Sequence, residues 1–117
     1  MIRMSIGLTR LSALTQEEFL SHWQVVHAPL VISVSRVLGI RHYTQLIPLN
    51  DAEGKSLRSG PEFDGIAQVD FESIEAVTRG HRSEEARGAL RQLAFDEATF
   101  IDTAKSVRWW SRIVRIL

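Results

Sequence analysis

An α+β fold, with an antiparallel four-stranded sheet and both helices on one of its faces, is the class this sequence predicts. Three segments alternate apolar and polar residues at every second position, and a fourth is rich in Val, Trp and Ile. Two further segments carry apolar residues at helical spacing, and the order along the chain is β-α-β-β-α-β. That order is the ferredoxin-like split βαβ unit. The 117 residues suit one domain, 1–117, and are too few for two.

The first strand is read from Ile2, Met4, Ile6 and Leu8, which alternate with Arg3, Ser5 and Gly7. Thr15 followed by Glu18 is a capping box, so a helix starts there. Its predicted buried stripe is Phe19, Trp23, Val26, Leu30, Val34 and Val37, with a kink or break after His27 because Pro29 cannot donate to a carbonyl four residues back. Gly39 ends the helix. Ile40 to Ile47 is the second strand, and Pro48 to Phe63 reads as an irregular, poorly ordered connection. Asp64 to Glu72 is the third strand. Ser73 and Ser83 are N-caps of a helical stretch to Leu93 that breaks near Gly80 and buries Ala86, Leu90 and Leu93. An Asp96-capped turn then leads to a fourth strand over Ser106 to Ile116.

Lysine plus arginine and aspartate plus glutamate number 14 each, so no global field recruits nucleic acid or anionic lipid. The absence of cysteine excludes disulfides, zinc ribbons, iron–sulfur clusters and thiol nucleophiles. No apolar run has the length of a membrane span and the N-terminus has no signal-peptide pattern, so a cytoplasmic protein is expected.

The sheet face turned from the helices is read as presenting Arg41, Tyr43, Gln45, Gln68 and Asp70, with one of Trp109 and Trp110 from the last strand. Such a face is solvated, stacks nucleic-acid bases, or is covered by a second sheet. The base-stacking option fails locally. In Asp64-Gly65-Ile66-Ala67-Gln68-Val69-Asp70-Phe71, Ile66 and Gln68 occupy the stacking positions and Asp64 the position of a phosphate-neutralising cation. A partly aromatic uncovered sheet favours a homodimer.

The segments Glu18-Phe19-x-x-His22-Trp23-x-x-x-His27-Ala28-Pro29-Leu30, Tyr43-x-Gln45, Phe63-Asp64-Gly65-Ile66-Ala67 and Asp96-Glu97-x-x-x-Phe100-Ile101-Asp102, in that order, resemble the EthD family. The resemblance implies a dimeric α+β barrel in which two ferredoxin-like sheets face each other around a small cavity. It also implies chemistry without a cofactor. Similar proteins include an accessory protein of ether degradation, polyketide decarboxylases and dehydratases, and a lactone isomerase, so the resemblance narrows the fold more than the reaction.

His27, beside the proline, is the candidate acid/base, and the resemblance supports that role against a plain core histidine. His22 lies about 140° from it on a regular helix, so the two cannot share a metal, and no other ligand spacing appears. His22 is read as a substrate contact or a solvated helix residue. Tyr43 is the candidate donor to an oxyanion or else a wall aromatic. Arg41 could anchor a carboxylate and Asp70 carry a proton, the alternative for each being a cross-strand ion pair. Trp23, Gln68, Asp96 and Trp110 complete the candidate substrate contacts, Asp96 only through the resemblance.

The reading is an enzyme without metal or cofactor that moves protons on a small cyclic, aromatic or lactone-like substrate as a lyase, dehydratase or isomerase. Oxygenase chemistry fits less well. The alternative is a non-catalytic small-molecule-binding or accessory protein of a degradation or polyketide pathway. Neither nucleic acid nor membrane is an expected partner.

Overall fold

Four strands hydrogen-bond in the order β2-β3-β1-β4, all neighbours antiparallel, in a computed structural model that describes residues 1–57 and 62–117. The strands are β1 (Ile2–Leu8), β2 (His42–Leu46), β3 (Gly65–Phe71) and β4 (Val107–Arg112). One helical layer covers one face: α1 (Gln16–His22), a π turn (Trp23–His27) and α2 (Ala28–Leu38) between β1 and β2, then α3 (Ile74–Gly80) and α4 (Glu84–Glu97) between β3 and β4. This is the ferredoxin-like arrangement that the element order predicts.

The local signals act as their chemistry requires. Thr15 Oγ1 accepts from Glu18 N at 3.1 Å, while Glu18 Oε1 accepts from Thr15 N at 2.8 Å. Ser73 and Ser83 each accept the amide three residues on at 3.1 Å, and Gly39 closes α2 at φ 73°. Residues 49–57 form a bridged turn, in which Asp51 Oδ1 accepts the amides of Glu53 and Lys55. The remainder of the connection expected to be poorly ordered falls on residues 58–61, which lie outside the described residues.

The first helix departs from expectation at its centre. Helical structure runs on through Pro29 without a break, because residues 23–27 widen into a π turn in which Ala28 N donates to Trp23 O, five residues back. A proline ring clashes with the carbonyl four residues earlier and offers it no hydrogen, and widening the turn relieves both problems. The insertion has a register consequence. After Trp23 the buried positions are His27, Val31, Val34 and Leu38, each of the first two and the last one residue later than the regular stripe of Val26, Leu30 and Val37. Val26 is 48% exposed.

The second departure concerns the sheet faces. Tyr43 pairs with Val69, which pairs with Met4, and Gln45 pairs with Ala67, which pairs with Ile6. Directly paired residues share a face, so Tyr43 and Gln45 turn toward the helices together with Arg108 and Trp110, the β4 partners of Ile6 and Met4. Gln68, Asp70, Ile66, Thr44 and Trp109 occupy the opposite face. The reading that put Tyr43 and Gln45 on the face of Gln68 and Asp70 is therefore corrected.

The main core joins Leu8, Phe19, Trp23, Ala67, Phe100 and Ile101, with Trp23, Phe19 and Phe100 fully buried. Trp23 fits because Gly65 lies beneath it: a Cβ there would stand 2.5 Å from the indole. Arg10 ties the ends of β1 and β3 through Asp64, whose carboxylate accepts both its backbone N–H and its guanidinium at 2.8 Å. Gly65→Ala is expected to overpack this contact and cost about 1–3 kcal/mol, measured as a lowered urea midpoint with an unchanged slope. Wild-type stability in that variant would contradict the contact.

Candidate functional site

A cavity of about 400 Å³ lies between the inner face of the sheet and the helices, within one protomer. Most of its wall is apolar, from residues such as Ile6, Val31, Val69, Phe71 and Trp110. The polar groups that reach it are His27, Tyr43, His81, Glu97 and Arg108, a composition suited to a small organic ligand.

His27 owes its position to the π turn, which rotates it onto the buried stripe. Its ring is only 6% exposed, and Nδ1 lies 2.8 Å from Asp96 Oδ2. The other oxygen of the same carboxylate, Oδ1, lies 2.9 Å from His22 Nε2, with the His22 ring 28% exposed. His22 and His27 diverge on a regular helix, whereas a π turn closes over five residues and brings both to one side. His22 is thus partly exposed and bound to Asp96. Phe100 backs both rings, its centroid 4.5 Å from His22 and 5.2 Å from His27.

Asp96 does not cap a helix start, as expected from the sequence. Helix α4 continues to Glu97, so Asp96 lies in the last turn, where a negative charge meets the negative end of the helix dipole. Two imidazole contacts offset that disadvantage. With Nδ1–H donating to Asp96, His27 keeps an unprotonated Nε2 available, and the carboxylate stabilises the imidazolium once a proton arrives.

Glu97 is a candidate the sequence reading did not name, although it stood in the quoted Asp96-Glu97 segment. Its Oε2 lies 3.8 Å from His27 Nε2, and both residues line the cavity. Burial pushes the Glu97 carboxyl above the ordinary range. His27 and Arg108 pull it down by less, and Asp96 adds to the rise. The pair therefore sets a base beside a carboxyl group inclined to hold its proton.

Across the cavity, Gln45 Nε2 donates to Tyr43 Oη at 3.0 Å and to Trp23 O at 3.0 Å. The Trp23 carbonyl belongs to the π turn, so one amide fixes both the turn and the phenol. Burial raises the Tyr43 pKa, which keeps the hydroxyl neutral and able to donate. Trp23 and Trp110 line the cavity, and Trp110 also packs on Phe71 with centroids 5.8 Å apart.

Three candidates lie elsewhere. Asp70 is held on the outer face by Arg3, with Nε to Oδ1 at 2.7 Å and Nη2 to Oδ2 at 3.1 Å, and His42 Nδ1 stands 3.6 Å away. It is a cross-strand ion-pair member. Arg41 precedes β2 and pairs at the surface with Glu72, and Gln68 faces outward on β3. Among the described residues no group of three or more His, Asp or Glu side chains is arranged to hold a metal ion, and no helix is long and apolar enough to cross a membrane.

A family model described as the EthD domain matches residues 11–104. An ethyl tert-butyl ether degradation (EthD) family protein from Bacillus halodurans superposes with a TM-score of 0.64 at 16% identity, over 97% of this chain and 100% of that one. A dimeric protein of unknown function and ferredoxin-like fold from Bacteroides fragilis gives 0.61 at 11% identity over 96% and 95%. A cofactor-independent oxygenase from Streptomyces nogalater gives 0.55 at 14% identity over 99% and 95%. No curated protein matches the sequence.

Replacing Asp96 with Asn is expected to release His27 from a single tautomer. Imidazole nitrogen NMR should find His27 protonated at Nδ1 in the wild type and mixed in D96N, with a stability loss of about 1–3 kcal/mol. An Nε2-protonated His27 in the wild type would contradict the assigned hydrogen bond.

Proposed function

The chain belongs to the EthD family, and on that premise we propose that it is an enzyme of proton transfer, acting on a small cyclic, aromatic or lactone-like substrate. The observation that carries the proposal is the His27 imidazole oriented by Asp96 at the wall of an apolar cavity, with Glu97 beside its free nitrogen. Removing a proton from carbon next to a carbonyl requires a base and a donor to the developing oxyanion. His27 Nε2 is the base, and the neutral Tyr43 hydroxyl is the donor. Glu97, whose carboxyl burial shifts toward holding its proton, is the acid that returns a proton to a second position of the substrate, which completes an isomerisation, or to a departing hydroxyl, which completes a dehydration.

Desolvation by the apolar wall strengthens each of these contacts. Trp23 closes the floor and Trp110 the β4 side. His22 acts through Asp96 as a positioning residue, since it occupies the oxygen that His27 does not use.

The test is deuterium exchange into cyclic 1,3-diketones and phenolic ketones, followed by proton NMR in D2O. Wild-type protein should exchange the carbon-bound proton, with His27→Gln slower by about 10²–10⁴-fold and Tyr43→Phe by about 10²-fold. Full exchange in H27Q, or binding with no exchange in the wild type, would favour a non-catalytic binding or accessory role. The acid role of Glu97 fixes the sign of the pH dependence. A raised carboxyl donates while protonated, so the contribution of Glu97 is lost as pH rises through the raised value and sets the alkaline limb of the profile. Glu97→Gln should lower the rate and remove that limb.

We also propose a homodimer formed through the outer sheet face, which supplies Trp109, Val107 and Leu46, all exposed in the protomer. Sedimentation should give a dimer, and Trp109→Glu a monomer. A monomeric wild type would overturn this assembly while leaving the cavity of each protomer complete.

A further inference from the structure

Strand β4 places one charged residue among its inward positions. Its apolar Val107 and Trp109 face outward, while Arg108 turns inward beside Ile6 and in line with Trp110. An arginine in an inward position of an apolar wall ordinarily meets a carboxylate there. Among the described residues Arg3, Arg10 and Arg41 each pair with a carboxylate, and none of the three lines the cavity. Among the described residues Arg108 has no carboxylate within salt-bridge distance, although it is close enough to Glu97 to depress that carboxyl's pKa.

Its location is also specific. A recess of about 300 Å³ adjoins the main cavity and shares with it Ile6, Leu8, Glu97, Ile101 and Arg108. Arg108 therefore stands where the recess opens into the chamber. Lining groups that could carry opposing charge are Glu97, which burial favours in its neutral form, and Tyr43, which burial keeps as a phenol. His27 and His81 are the remaining titratable side chains of the wall, and His81 Nε2 is engaged with the Leu38 carbonyl at 3.0 Å.

We infer that Arg108 is an anion-binding, specificity-determining residue, and that the substrate is a ring compound bearing a carboxylate. The inference rests on the proposed proton-transfer reading and names its substrate class. A guanidinium presents paired donors that match the two oxygens of a carboxylate, and Arg108, exposed in the protomer, presents them at the rim of the apolar cavity. The carboxylate meets Arg108 at the recess, which leaves the ring in the apolar chamber with its reacting carbon toward His27. Arg41, the residue expected to play this part, is occupied by Glu72 at the surface. The formal net charge of zero means that a preference for anions cannot come from a protein-wide field.

The test compares 2-naphthoate with its neutral isostere 2-naphthamide by NMR titration of the intact chain. Wild-type protein should bind the carboxylate about tenfold or more tightly than the amide. Arg108→Gln should abolish the preference, Arg108→Lys should retain part of it, and Arg112→Gln, on the same strand outside the cavity wall, should leave it intact. Equal affinities in the wild type, a preference that survives in R108Q, or loss of the preference in R112Q would overturn the inference, as would binding of neither probe. The readout is independent of turnover. Exchange on a neutral diketone without an anion preference overturns the Arg108 assignment alone, and an anion preference without exchange overturns the enzymatic reading alone.

Discussion

One inserted residue in the first helical run governs the site. Pro29 removes a hydrogen-bond donor and crowds the carbonyl of Val25, and the backbone answers with a π turn over residues 23–27 in place of a break. A single extra residue rotates everything beyond it relative to the first part of the helix. Phe19 and Trp23 keep one stripe, and His27 joins that stripe in the position where Val26 would otherwise stand. The same turn draws His22 and His27 onto the two oxygens of Asp96. Gln45 then donates to the Trp23 carbonyl, so the wide turn is held from the sheet as well as from within the helix.

The polar cluster runs against the stability of its surroundings. Asp96 places its carboxyl group at a helix C-terminus, and Glu97 takes a second carboxyl group into a poorly solvated wall that favours its neutral form. Both imidazoles lie against Phe100, and His27 is nearly dry. A core built for stability alone would place aliphatic residues here. Hydrogen bonds to both Asp96 oxygens offset part of the cost, and the rest is carried by the dense aromatic packing of Phe19, Trp23 and Phe100 directly beneath. Charge that is expensive to bury and retained at a cavity wall is the usual physical mark of a chemical site.

Much of the fold was legible because its signals are local. The capping box at Thr15 and Glu18, the Ser73 and Ser83 caps, Gly39 and the alternation of β1 each involve residues within one turn or one strand. The misread features are those set at long range. The period of β2 separates Tyr43 and Gln45 from His42 and Thr44, yet only the pairing of Tyr43 with Val69 says which group faces the helices. The pairing of Asp70 with Arg3, like that of Arg41 with Glu72, is likewise invisible within either strand alone. His27 could be singled out by its neighbouring proline, whereas its partner Asp96 and the adjacent Glu97 lie some 70 positions later. The motif segment containing them was the available signal, and its chemistry shows only when the two helices are packed.

Strand β4 shows how the fold separates two demands on one sheet. Its outward residues, Val107 and Trp109, give an apolar surface, while its inward Arg108 and Trp110 close the chamber. A cavity enclosed between two sheets would make the chemistry depend on association. Here His27, Asp96, Glu97, Tyr43 and Arg108 all come from one chain and meet on the helical side of the sheet. The cavity and the outward apolar residues of β4 thus lie on opposite faces of one sheet.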